Sequence, residues 1–110
     1  MRCLLVSFSV MGYADESLQL TLLGKYFELL LQSGDLPSAI CFYTNGVKLM
    51  CEGSPVLEAL QKLESLNVRL IGCSTCLNYF NLQDKVHVGL VGGMGDILEA
   101  QGKAEKAITL

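Results

Sequence analysis

The chain has 110 residues, 51% of them hydrophobic and only 17% charged, and a net charge of −3. That length fits one domain, 1–110, with a real core, and eight scattered basic residues in an acidic chain argue against a nucleic-acid surface. No apolar run approaches the ~20 residues that cross a bilayer, so the apolar excess is expected to be covered by a homo-oligomer.

Residues 3–10 (CLLVSFSV) form a nearly continuous apolar run, the pattern of a strand buried on both faces of a parallel sheet. Met1-Arg2 ahead of that run is read as the opening of a first strand rather than a signal peptide. Residues 11–16 are a loop, and Asp15, Glu16 or Ser17 starts a helix that runs to about Ser33. Leu18, Leu22, Tyr26 and Leu30 share one face of it, with Leu23, Phe27 and Leu31 alongside. Only Thr21, Lys25, Glu28 and Gln32 make a polar stripe. So narrow a wet face predicts cover on two sides, by the sheet and by something else.

Gly34-Asp35-Leu36-Pro37 ends the helix, and 39–44 (AICFYT) reads as a second strand turned by Asn45-Gly46. Ser54-Pro55 pairs an N-cap with proline at the first helical position, predicting a second helix with Val56, Leu57, Leu60, Leu63 and Leu66 on its apolar face. A third strand, 68–72, runs into Cys73-Ser74-Thr75-Cys76. The remaining elements are a fourth strand at 86–91, a loop Gly92-Gly93-Met94-Gly95, a short helix at 96–102 and a last strand at 105–109. This alternation predicts an α/β fold, three-layer α/β/α around a five-stranded, mainly parallel sheet.

In such a sheet, ligands collect at the carboxyl edge of the strands. Loops 11–16, 45–53 and 92–95 are expected there beside Cys73 and Cys76. The pocket-lining candidates they carry are Gly12, Asp15, Asn45, Gly46, Lys48, Gly93 and Met94. If a helix begins after Ser74-Thr75, Cys76 lies in its first turn, where free N–H groups and the positive dipole end favour thiolate. The alternative is a small buried hydrophobe. Cys73 can resolve a disulfide with Cys76, assist transfer, or pack beneath the loop. Cys3 and Cys41 read as core, and Cys51 lies near the pocket in a passive role.

A single Cys-x-x-Cys supplies two of the four ligands of a structural zinc site, so no metal is expected. Nothing calls for a cofactor, since Gly92-Gly93-Met94-Gly95 fits neither a dinucleotide nor a P-loop spacing. His87 is placed near the start of the fourth strand, too far from its carboxyl edge to pair with Cys76. Five cysteines without turn-rich spacing imply a reduced, cytoplasmic protein rather than a disulfide framework.

Gly46-Val47-Lys48-Leu49, Glu52-Gly53-Ser54 and Cys73-Ser74-Thr75-Cys76-Leu77-Asn78-Tyr79-Phe80 resemble the DsrE-like domain. The match is closest to the carboxyl-terminal domain of YedF-type, sulfurtransferase-like proteins of selenium metabolism. Met11-Gly12 with Asp15 resembles that family's acidic first loop. Two departures stand out: Gly92-Gly93-Met94-Gly95 replaces a sequence closer to Ser-Asn-Met-Tyr, and Ala14 stands where glycine is usual. The resemblance implies a parallel five-stranded fold, homo-oligomers such as trimers or hexamers, and persulfide handling on Cys76. It also implies a sulfur-carrier partner of TusA-like type. Three functions follow for comparison: a sulfur or selenium relay on Cys76, sulfurtransferase-like if catalytic; a Cys73–Cys76 dithiol redox module; and a non-catalytic oligomeric domain that binds a small anion.

Overall fold

The computed structural model describes residues 2–6 and 14–110. Among them the strands are β1 (Arg2–Val6), β2 (Ala39–Phe42), β3 (Arg69–Cys73), β4 (Leu90–Gly92) and β5 (Lys106–Thr109). They form one all-parallel sheet in the order β4-β3-β2-β1-β5. The helices are α1 (Glu16–Ser33), α2 (Leu57–Ser65), α3 (Ser74–Tyr79) and α4 (Met94–Lys103), with a 3-10 helix over Thr44–Met50. The α/β class and parallel sheet are those the sequence predicts. Residues 7–10 of the expected first strand, and Gly12 in the loop after it, lie outside the described residues.

The strands are apolar on both sides because both sides are covered at the sheet's centre. Ala39, Ile40, Cys41 and Phe42 of β2 are all buried, as are Leu70, Ile71, Gly72 and Cys73 of β3. A Cβ added to Gly72 would meet Met50 and Leu77, so the 3-10 helix and α3 lie on one face. A Cβ at Gly92 would meet Asp96 and Ile71, which puts α4 on the other. β3 and β4 are neighbours, yet the chain leaves them toward opposite faces. That is a topological switch point, the crevice where open α/β sheets place ligands, and the cysteine pair stands at it.

Several boundaries differ from expectation for local reasons. The second helix begins at Leu57 rather than Pro55, because Gly53 (φ 89°) and a turn from Ser54 N–H to the Cys51 carbonyl come first. Ser54 still acts locally, its hydroxyl accepting the Val56 N–H at 3.2 Å. The fourth strand shrinks to Leu90–Gly92 because Gly89 takes φ 82° and breaks the run. Residues ahead of it pair elsewhere: Val86 bridges Cys51 in antiparallel sense, and the His87 N–H donates to the Met50 carbonyl at 2.9 Å. His87 is therefore exposed on this side connection and not in the strand where it was expected. The last helix starts earlier than expected because the Asp96 carboxylate accepts the Gly93 N–H at 2.8 Å and closes its first turn.

In α1, Leu23, Phe27 and Leu30 face the core, while Leu18, Leu22 and Leu29 remain exposed. A second apolar patch lies at the β4 edge, where Leu90, Val91, Met94 and Leu98 are all more than half exposed. Among the described residues no helix is long and apolar enough to cross a membrane.

Candidate functional site

β3 carries Cys73 as its last residue, and the chain turns directly into α3 with Cys73 as N-cap. No loop intervenes, so Cys76 falls in the first turn of a helix only six residues long. Cys73 is 1% exposed and Cys76 is half-buried. The other three cysteines, Cys3, Cys41 and Cys51, are buried. All five are free thiols, and Cys76 is the one that solvent reaches.

The sulfur of Cys76 has a specific partner that the sequence did not reveal. The backbone N–H of Thr44, just past the end of β2, donates to Cys76 Sγ at 3.1 Å. Thr44 adopts φ 49°, the left-handed region that a β-branched residue occupies at a cost of about 1–2 kcal/mol. Such strain persists only where surrounding structure imposes it. Here the Thr44 hydroxyl donates to the Tyr43 carbonyl at 2.7 Å, and the Gly46 N–H donates to the same carbonyl at 2.9 Å. The turn aims an amide at sulfur.

Burial pushes the Cys76 thiol above its ordinary value, and the neighbouring Cys73 thiol pushes in the same direction. The N–H groups of Thr44 and of Cys76 itself pull it down without reversing the shift. The thiolate expected from a helix amino terminus is thus corrected: a helix of under two turns supplies little dipole, and partial desolvation of the charged form prevails. Cys51 is likewise raised by burial, its thiol donating to the Val47 carbonyl at 3.3 Å.

Beside the cysteine turn lies a cleft of ≈ 560 Å³. Its walls combine Leu49, Cys51 and Pro55 with Leu20 of α1 and with Phe80 and Leu82 after α3, and Lys48, Glu16, Glu52 and Ser54 are the polar groups at it. Cys76 is not in its lining. Phe80 is the link, four residues along from Cys76 with its N–H on the Cys76 carbonyl at 3.1 Å. The Lys48 ammonium stands 4.4 Å from the centroid of the Phe80 ring. This cation is absent from the influences on Cys76.

The other pocket candidates are dispersed. Asp15 is exposed at the start of α1, its carbonyl accepting the Gln19 N–H at 3.0 Å, and Asn45 is exposed in the 3-10 helix. Gly46 is buried and structural, Gly93 caps α4, and Met94 is 53% exposed beside it. None of these five lines the cleft. Among the described residues no group of three or more His, Cys, Asp or Glu side chains converges as metal ligands.

No family model matches this sequence, and no curated protein matches it. Solved structures do. The chain is similar to the YchN protein of E. coli at TM-score 0.71 and 19% identity, over 100% of both chains. MTH1491 of Methanobacterium thermoautotrophicum, titled a protein of unknown function, gives TM-score 0.71 and 18% identity over 99% of this chain and 97% of its own. BT1422 of Bacteroides thetaiotaomicron, a conserved protein of unknown function, gives 0.65 and 16% over 98% and 94%. At these identities the likeness is one of fold, the five-stranded parallel α/β arrangement described above.

Proposed function

We propose that this protein is a sulfur relay in which Cys76 accepts a sulfane sulfur and passes it on. The observation that carries the reading is the Thr44 amide donating to the one cysteine that solvent reaches, at the switch point of the sheet. In the accepting step the Cys76 thiolate attacks the outer sulfur of a donor persulfide. A new S–S bond forms on Cys76, the donor's S–S bond breaks, and the donor leaves as thiolate. Handing on reverses the roles: an acceptor thiolate takes the outer sulfur and Cys76 departs as thiolate. The Thr44 N–H is placed to stabilise sulfur anion at both stages. A raised thiol pKa makes Cys76 a strong nucleophile once ionised and a slow leaving group, which suits a protein that holds its cargo until an acceptor docks.

The same reading takes the acceptor to be a small TusA-like carrier and the protein to work in the cytoplasm as a trimer or hexamer. It leaves room for selenium as cargo. The exposed leucines of α1 and the patch of Leu90, Val91, Met94 and Leu98 are the surfaces that assembly would cover. A dithiol redox module is the second reading, favoured by the placing of Cys73 and Cys76 at the N-cap and in the first turn of α3, where Cys73 acts on the ionisation of Cys76.

Intact-mass and peptide mapping after exposure of the reduced protein to a persulfide donor tests both. The relay gives one added sulfur that survives Cys73→Ser and disappears in Cys76→Ser. Loss of two hydrogens, abolished by either substitution, would establish the redox module instead. An unmodified Cys76 would end the relay reading, and a monomeric native mass in the same preparation would end the assembly.

A further inference from the structure

We infer that the sulfur donor is a small zwitterion, an amino-acid or short-peptide persulfide, seated in the cleft beside α3; this rests on the relay reading of Cys76. The cleft's ≈ 560 Å³ lies within the range of small-molecule sites, roughly 300–1,000 Å³. Its charged groups are of both signs. Lys48 is held over the Phe80 ring and makes no ion pair with a described residue. Glu16, at the first turn of α1, likewise makes none. Glu52 is already tied to Lys85 at 3.7 Å. Among the described residues, one cation and one carboxylate that make no ion pair therefore line a cleft whose remaining surface is largely apolar.

A simple anion entering it would meet Glu16 and Glu52, and a simple cation would meet Lys48. A molecule carrying both a carboxylate and an ammonium satisfies both, while its aliphatic part lies against Leu49 and Leu82. A loop of a donor protein lacks that pair, because its α-amino and α-carboxyl groups are consumed in peptide bonds. Reach is also right. Phe80 follows Cys76 by four residues on the same side of the helix, a rise of about 6 Å, so a side chain extending past the Phe80 ring brings its outer sulfur toward Cys76. After transfer the donor is left as the parent thiolate in the cleft, its S–S bond broken and one sulfur now bonded to Cys76.

The test compares cysteine persulfide with inorganic polysulfide as donors to the full chain. Loading of Cys76 is followed by intact mass, and each rate is divided by that of the same donor with a free small thiol. Wild type is expected to prefer cysteine persulfide by about tenfold or more, the worth of one well-placed charge contact. That preference should fall about tenfold in Lys48→Gln and in Glu16→Gln, persist in Lys48→Arg, and stay intact in Lys25→Gln on the exposed surface of α1. Equal normalised rates, or a preference indifferent to Lys48 and Glu16, would overturn the donor assignment while leaving the relay standing. Failure of both donors to load Cys76 would instead overturn the relay.

Discussion

The ionisation of Cys76 decides how the site works, and alkylation with iodoacetamide across a pH series measures it. Burial and Cys73 hold the thiol above the ordinary value of 9.0. Over pH 7 to 9 the thiolate fraction, and with it the labelling rate, then rises by more than about fiftyfold. A thiol activated to a pKa of about 7 would already be half ionised at the start and would gain only about twofold. Peptide mapping isolates Cys76 from the four cysteines that are no more than 2% exposed. The sign extends to a variant. Cys73→Ala removes a neighbour that raises the pKa and opens space for water, so the profile should move to lower pH and labelling at pH 7 should speed up. A rate that levels off below pH 8, or a profile that Cys73→Ala leaves in place or moves upward, would refute the reasoning. It would mean that the start of α3, not desolvation, governs this sulfur.

Two further predictions concern the scaffold. At Gly89 (φ 82°) an added Cβ would stand 2.9 Å from the Leu70 carbonyl oxygen and from Leu70 Cβ, backbone-anchored atoms that cannot swing aside as the Met50 methyl can. Gly89→Ala should therefore cost about 3 kcal/mol and lower Tm by roughly 10–20 °C, whereas Gly95→Ala, with open space around it in α4, should stabilise by up to about 1 kcal/mol; equal melting curves for the two would overturn the packing described. The second concerns Cys41, which lies in the core 3.7 Å from Cys3 and is pushed up from 9.0 to about 12, first by burial and then by Cys3. The unfolded chain loses this proton first as pH rises, so the thiol's contribution is complete below pH 9 and disappears between 9 and 12, about 4 kcal/mol in total. The difference in urea midpoint between wild type and Cys41→Ala should shrink across that interval, and a constant difference would refute the assignment.

What the sequence encodes locally it disclosed well. Three apolar runs became the central strands β1, β2 and β3 because a strand buried on both faces needs no alternation, and residues 3–5, 39–42 and 70–73 show that in their composition. The placing of Cys73 and Cys76 at the carboxyl edge of β3 followed from the same logic. The failures share a different cause. Val86–Val91 has the apolar pattern of one strand, but Gly89 turns left-handed against Leu70, and only the packed neighbour reveals that the run must break there. Thr44 was invisible because a β-branched residue is the last to be assigned a positive φ, with Asn45 and Gly46 beside it offering themselves for the turn. The cleft draws on residues from Glu16 to Leu82, so no short stretch announces it. Most telling is the sign of the Cys76 shift. A Cys-x-x-Cys at a helix start specifies which local backbone amides lie near the sulfur, and the Cys76 N–H does pull its pKa down. The burial that outweighs that pull, and the strained Thr44 amide thirty-two residues away that adds to it, arise from how segments pack, where spacing along the chain carries no record of them.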